Sequence, residues 1–135
     1  MIFLLDTNAF SDLMRENPKI DDHLAGISPM DRVVICTVVR GEILYGIKRL
    51  SNSKRQQDLE DKAIQLFSVI PCEPILESAG DYYAMIKITQ QRKGLALDEN
   101  DLWIAATALA LGAVLISRDS DFYQVDTLVV NNWSD

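Results

Sequence analysis

Acidic residues occur at four separated positions of the sequence where they could share a metal ion. Asp6 directly follows a short apolar run, and Asp119 lies shortly after another one. Glu42 lies one turn into a predicted helix, and Asp101 lies in the first turn of a second. Carboxylates that converge within a few ångströms repel one another, so such a cluster persists mainly where a hard cation neutralises it. Oxygen ligands without histidine or cysteine favour Mg²⁺, with Mn²⁺ as the alternative, over zinc. An ion held in this way can activate water and stabilise a scissile phosphate, which indicates phosphodiester hydrolysis.

Three further polar residues lie beside these acids and are secondary candidates for the same site. Ser117 immediately follows the apolar run that precedes Asp119, and Asn8 follows Asp6 by two positions. Asp121 lies two positions beyond Asp119, so the sequence leaves open which of these two carboxylates faces the metal.

Several of these residues also have an ordinary structural interpretation. Asp6 and Asn8 both suit the N-cap of a helix that begins near Ala9, and Asp98 is interpreted as the N-cap of the helix that contains Asp101. Asp119 and Asp121 could be turn residues after a strand.

Glu42 and Asp101 are harder to explain as surface residues. Glu42 could be a solvated helix residue, but no basic residue lies three or four positions away to pair with it. Asp101 stands at the head of the predicted buried face of its helix, whose members are Ile104, Ala105, Ala108 and Leu109. A carboxylate there is partly desolvated, which costs free energy unless a helix dipole or a bound cation compensates.

The apolar pattern predicts the elements that position these residues. Runs of strand length cover residues 2–5, 33–36, 113–116 and 128–130, with a weaker fifth at 68–70 before Pro71. Helical periodicity predicts a helix that follows Thr37, its predicted N-cap. The same periodicity recurs over residues 59–70 and 76–90, and the second of these helices ends near Gly94. A further helix ends at Gly112. Strands that alternate with helices predict a doubly wound α/β domain with a parallel sheet. In such a sheet, ligands bind at the carboxyl ends of the strands, so the four acidic segments are expected to meet there.

Composition limits the other function classes. The chain of 135 residues has 20 acids and 13 bases, for a formal charge of −7. Its length fits a single domain over residues 1–135. A lone histidine and two separated cysteines argue against a zinc ribbon, a disulfide framework and a Ser-His-Asp triad. We expect a cytoplasmic protein that does not associate with membranes, because no signal-peptide core and no membrane-spanning apolar stretch is found.

Most of the negative charge comes from the predicted site. Without the six acids discussed above, the remaining fourteen acids nearly balance the thirteen bases, which leaves −1. The acidity is therefore local, and it does not argue against nucleic-acid chemistry that depends on a metal ion.

Four motifs resemble the PIN domain, and their order and the chain length resemble the VapC-like toxins of type II toxin–antitoxin systems. The resemblance extends from Met1 to about Val130. The motifs are Asp6-Thr7-Asn8, Arg40-Gly41-Glu42, Asp101-Leu102-Trp103-Ile104-Ala105-Ala106 and Ser117-Arg118-Asp119-Ser120-Asp121-Phe122.

The resemblance implies a three-layer α/β/α sandwich with a five-stranded parallel sheet and a Mg²⁺-dependent ribonuclease site. It implies that Asp6 and Asp101 bind the metal and that Glu42 and Asp119 complete the catalytic set. Ser117 stands where family members commonly have threonine, so a hydroxyl is retained. The resemblance also implies an RNA substrate, a homodimer, and a cognate antitoxin that blocks the site.

The sequence leaves the binding surfaces open. Lys48, Arg49, Lys54 and Arg55 could contact RNA phosphates or simply form a solvated helix face. Arg118 could contact a phosphate or be a flanking surface residue. Tyr45, Ile47 and Leu50, or residues 59–70, could form an apolar groove for a partner or belong to the core.

Two alternative functions remain at the level of sequence. One is a catalytically silent PIN-like binding module. The other is a receiver-type phosphoacceptor domain, which needs an acceptor Asp after the middle strand and a Lys after the last. The corresponding segments read Pro71-Cys72-Glu73 and Asn131-Asn132-Trp133, so neither requirement is met.

Overall fold

The computed structural model describes residues 1–135 and contains one sheet of five strands, all parallel. The strands are β1 (Ile2–Leu5), β2 (Arg32–Cys36), β3 (Cys72–Glu73), β4 (Val114–Ile116) and β5 (Val130–Asn131). Their order across the sheet is β3-β2-β1-β4-β5. The predicted α/β fold with a five-stranded parallel sheet is confirmed.

Six α-helices connect the strands. They are α1 (Thr7–Met14), α2 (Pro18–Ala25), α3 (Thr37–Lys48), α4 (Ser53–Val69), α5 (Glu77–Arg92) and α6 (Glu99–Leu111), and a 3₁₀ helix spans Ser120–Gln124. The chain moves from β1 through β2 to β3 in one direction and then returns to β4 on the other side of β1. Right-handed crossovers in opposite directions place their helices on opposite faces of the sheet, which gives three layers. None of the helices combines the length and the apolar content needed to cross a bilayer.

The central strands are buried on both faces. Leu4 and Leu5 are consecutive in β1 and therefore point to opposite faces of the sheet, yet both are 0% exposed. Leu115 and Ile116 of β4 are likewise buried. This burial explains why these strands are continuous apolar runs in the sequence rather than alternating ones.

Two predicted strands were misplaced. The prediction for residues 68–70 was wrong, because these residues end α4, where the Ile70 amide donates to the Leu66 carbonyl at 2.8 Å. The strand starts beyond Pro71, whose carbonyl accepts from the Ile35 amide at 3.0 Å. Three apolar residues fit the end of a helix as well as a strand, so periodicity alone could not separate them. The last strand lies at Val130–Asn131, later than the predicted 128–130.

The observed helix ends agree only in part with those predicted from the sequence. Thr37 is the first residue of α3 rather than its N-cap, and its hydroxyl donates instead to the Glu73 carbonyl at 3.4 Å. Helix α2 had not been predicted, although Asn17 caps it by accepting from the Lys19 amide at 2.9 Å. Helix α6 ends at Gly112, as predicted, and Gly112 adopts the left-handed conformation with φ of 63°.

Replacement of Gly112 by alanine should destabilise the protein by about 1 kcal/mol, because a side chain is strained at positive φ. The control is Gly80→Ala inside α5, where φ is negative and an added Cβ has no atom within 4 Å. Gly80→Ala should stabilise the protein by about 0.5–1 kcal/mol, because alanine favours the helix. Urea unfolding at fixed pH measures both, and equal effects of the two substitutions would contradict the prediction.

Candidate active site

The predicted site residues lie where the strand order of the sheet reverses. Strands β1 and β4 are neighbours, with Leu5 in register with Ile116, so Asp6 and Ser117 leave the sheet side by side. The Asp6 amide donates to the Ile116 carbonyl at 3.1 Å, which fixes the backbone of Asp6 where the chain leaves β1. The carboxyl ends of two strands at a reversal in strand order form the usual ligand-binding crevice of such sheets.

Asp6 is both a helix cap and part of the acidic site. It is 3% exposed, and its Oδ1 accepts from the Ala9 amide at 2.8 Å, which caps α1. Burial raises the pKa of Asp6, while hydrogen bonds from the Ser117 hydroxyl and the Ala9 amide oppose the rise. The Asp119 carboxylate raises the pKa of Asp6 further, and the Arg118 guanidinium lowers it.

The other acids of the site raise the pKa of Asp101. It is half-buried in the first turn of α6, and burial is the main reason that its pKa rises to about 7. Repulsion from other carboxylates raises this pKa further, in decreasing order from Asp119, Asp98, Glu42 and Asp6. The acids of four separate segments therefore act electrostatically on one another at one edge of the sheet.

Glu42 is held by two neutral donors. The Thr7 hydroxyl donates to its Oε1 at 2.6 Å, and the Asn100 side-chain amide donates to its Oε2 at 3.3 Å. These bonds link α3 to α1 and α6. Sequence reasoning missed both donors, although each directly adjoins a predicted site residue, Asp6 or Asp101.

The loop after β4 orients Asp119 toward the site. The buried Ser117 hydroxyl accepts from the Asp119 amide at 3.0 Å, and the Asp119 Oδ1 accepts from the Asp121 amide at 2.9 Å. Asp119 raises the pKa of both Asp6 and Asp101, whereas Asp121 is exposed and is not among the groups that act on either. This geometry favours Asp119 as the inward-facing acid.

Asn8 and Asp98 are exposed residues beside the candidate site. Asn8 is exposed in the first turn of α1. Asp98 occupies the N-cap position of α6, as predicted, but its side chain makes no capping hydrogen bond. Asp98 instead belongs to the group of carboxylates that raise the pKa of Asp101, although it is exposed.

The donor set suits a hydrated hard cation. Every candidate ligand is an oxygen, as Mg²⁺ and Mn²⁺ prefer, and the mutual repulsion felt by Asp101 is the kind that a divalent cation relieves. The side chains do not form a closed shell, since no three His, Cys, Asp or Glu residues are close enough to hold an ion together. Magnesium typically takes one or two carboxylates and keeps several waters, so an open set of this kind fits it.

Comparison with known proteins identifies relatives along nearly the whole chain. The family model described as the PIN domain matches residues 3–128. The chain is 30% identical over 139 residues to "Ribonuclease VapC1" of Haemophilus influenzae, across 99% of each chain. It is 28% identical to "Toxin FitB" of Neisseria gonorrhoeae, across 99% of this chain and 100% of the other. Among solved structures, VapBC-1 from nontypeable Haemophilus influenzae superposes with a TM-score of 0.88 at 28% identity, over 100% of both chains.

In a chelating buffer, Asp101→Asn should stabilise the folded protein by about 1–2 kcal/mol near pH 8. Because the pKa of Asp101 is about 7 when folded and 3.8 as a free side chain, the folded state retains its proton at higher pH. Folding stability is therefore lost as pH rises between about 4 and about 7. The magnitude is reduced from the full linkage value because the carboxyl group is only half-buried.

Urea unfolding at about pH 4 and about pH 8 measures this effect, and the difference between wild type and variant should largely vanish at the lower pH. Asp81→Asn, at an exposed position of α5, serves as the control and should show no such pH dependence. A gap between wild type and Asp101→Asn that is the same at both pH values would contradict the prediction.

Proposed function

The chain belongs to the PIN domain family, and on that premise we propose that it is a Mg²⁺-dependent endoribonuclease that acts as the toxin of a type II toxin–antitoxin system. Its relatives in Haemophilus influenzae and Neisseria gonorrhoeae are named as a ribonuclease and as a toxin. The observation that carries the catalytic part is the set of acids from four segments that together raise the pKa of Asp101 to about 7.

The proposed roles follow from how each side chain is held. Asp6 and Asp101 are the proposed metal ligands, because they are the two site acids whose pKa values burial and neighbouring acids raise. Glu42, fixed by Thr7 and Asn100, is suited to orient the attacking water. Asp119 completes the acidic set, and Ser117 holds its backbone amide. When bound, Mg²⁺ or Mn²⁺ supplies positive charge for the scissile phosphate and for activation of water.

A groove beside the site supports an antitoxin partner. It has a volume of about 410 Å³, lies between α1, α3 and α4, and begins at Thr7 and Glu42. Its walls are partly apolar and partly basic, with Met14, Ile43, Ile47, Leu50 and Leu59 beside Arg15, Arg49 and Arg55. A peptide segment in this groove would reach the carboxylates, so we propose that the cognate antitoxin blocks the site from here.

The proposal includes a homodimer and a single PIN-like domain. The 29 buried apolar residues form one continuous core, which supports one domain over residues 1–135. The homodimer is proposed from the family resemblance, and the cognate antitoxin is supported by the similar solved structures of toxin–antitoxin systems.

The two alternatives are weaker. A receiver-type domain has the flavodoxin-like strand order 2-1-3-4-5, whereas this sheet has the order 3-2-1-4-5. A catalytically silent PIN-like module would need no cluster of mutually repelling acids, and the names of the relatives do not favour it.

Purified protein should cleave structured RNA with Mg²⁺ and should lose cleavage when EDTA is added. Asp6→Asn and Asp101→Asn should each lower the rate at least about a hundredfold, because each removes a proposed metal ligand. Asp119→Asn should also lose activity, whereas Asp121→Asn should retain most of it. Gel analysis of the RNA measures the rates, and cleavage that survives chelation or Asp6→Asn would refute the mechanism.

Induced expression of the wild-type protein should stop bacterial growth, whereas Asp101→Asn should allow growth at the same protein level. The reason is that a toxin of this class acts through RNA cleavage, which the substitution removes. Growth curves with immunoblots at matched times test this, and equal growth of the two strains would count against the toxin role.

A further inference from the structure

Asp12, a buried acid outside the site described above, joins three parts of the chain. It lies in α1 and is 7% exposed. Its Oδ1 accepts from Arg15 at 3.3 Å, and its Oδ2 accepts from the Arg118 Nε at 3.1 Å and from the Ser134 hydroxyl at 3.0 Å. A buried carboxylate is retained at low cost only when its oxygens are satisfied in this way.

The C-terminal segment braces this junction. Trp133 is 5% exposed, packs against Phe3 with ring centroids 5.2 Å apart, and stacks on His23 at 5.3 Å. The Ser134 amide donates to the Asn132 side chain at 2.8 Å. The donor that Ser134 offers to Asp12 is therefore held in place by the packing of the neighbouring Trp133 against Phe3 and His23.

Arg118 is bound in an unusual way for a structural ion pair. A guanidinium commonly meets a carboxylate through two parallel N–H···O bonds. Here one oxygen of Asp12 is used by Arg15, and Arg118 contacts the other through Nε alone. The two terminal nitrogens of Arg118 have no protein partner, and 47% of its side chain is exposed. These nitrogens carry donors that can bind an anion.

The position of Arg118 places this unused donor set beside the acidic site. Arg118 lies between Ser117 and Asp119 in the loop after β4, and its charge acts on the Asp6 carboxylate. A substrate phosphate that approaches the carboxylates would therefore come within reach of a guanidinium whose direction is already set.

We propose that Arg118 binds a phosphate of the substrate strand through its terminal guanidinium nitrogens and that Asp12 is its positioning residue, held by Ser134. The identity of the strand as RNA rests on the proposed function, whereas the phosphate contact rests on the geometry of Asp12 and Arg118. Fixing Nε removes much of the rotamer freedom that an arginine would otherwise lose on binding.

The test measures RNA binding separately from cleavage. A fluorescein-labelled single-stranded RNA of mixed sequence is titrated with protein in the Asp101→Asn background, with Mg²⁺, at several salt concentrations. Arg118→Gln should raise the Kd about tenfold and lower the slope of log Kd against log salt by about 0.7, the value for one lost phosphate contact on a single strand. Arg118→Lys should keep the slope, because the charge remains, and should raise the Kd less.

Arg32→Gln is the matched control for loss of charge. Arg32 is also paired with one carboxylate, Glu73, and has a similar side-chain exposure of 54%, but it begins β2 at the opposite edge of the sheet. This variant should leave the Kd and the salt slope unchanged. An Arg118→Gln protein whose Kd and slope match those of its parent, or an equal loss with Arg32→Gln, would overturn the phosphate contact.

A double-mutant cycle tests the role of Asp12. Asp12→Asn alone should raise the Kd but keep the salt slope, because the charge of Arg118 remains while its direction is lost. In the Arg118→Gln background, Asp12→Asn should have no further effect on the Kd. Full additivity of the two changes would overturn the positioning role. If circular dichroism shows that Asp12→Asn does not fold, Ser134→Ala replaces it in the cycle, because it loosens the same Oδ2 contact without leaving cations unpaired.

The outcomes separate this inference from the ribonuclease proposal. RNA binding that depends on Arg118, together with a wild-type protein that does not cleave RNA, would retain the phosphate contact and reject the proposed ribonuclease. Cleavage by the wild-type protein, together with RNA binding that Arg118→Gln leaves unchanged in the Asp101→Asn background, would do the reverse.

Discussion

Repulsion among acids that the fold holds together is the constraint on which this site depends. Asp101 is half-buried at the head of α6 and is acted on by four other carboxylates, which together with burial raise its pKa to about 7. A folded chain gains nothing in stability from such an arrangement, because each ionised acid raises the free energy of its neighbours. Acids in this arrangement suit a site whose occupant is positively charged.

The scaffold tolerates this repulsion because other parts of the structure compensate for it. The Asp6 side chain caps α1, so one of its oxygens satisfies a backbone amide that would otherwise lack a partner. Glu42 accepts from two neutral donors, which orient it without neutralising its charge. Leu4 and Leu5, buried on opposite faces of β1, anchor the strand that presents Asp6. The site is therefore built on the most deeply buried strands of the sheet, where its geometry is least free to relax.

Cations are arranged differently from acids around this edge. The acids act on one another directly, whereas Arg118, the cation that acts on Asp6, is bound to Asp12 through Nε and its terminal nitrogens have no protein partner. A carboxylate that orients an arginine keeps the positive charge beside the site without neutralising the acids that would bind a metal. In the proposed function, this division would let one edge of the sheet bind both a divalent cation and a phosphate, which bear opposite charges.

Much of the fold and the site followed from the sequence, because both depend on local pattern. Runs that are apolar on both faces identified β1, β2 and β4. The rule that parallel strands present ligands at their carboxyl ends predicted that Asp6 and Asp119 lie close together. Local pattern failed where a short strand and the end of a helix would be equally apolar. Residues 68–70 are an example, because they end a helix instead of forming a strand. Only the tertiary structure decided that Asp119 rather than Asp121 faces the other acids, that Thr7 and Asn100 hold Glu42, and that Asp12 holds Arg118. These contacts join residues far apart in the chain, and their distances are set by how the layers pack, which spacing along a sequence does not encode.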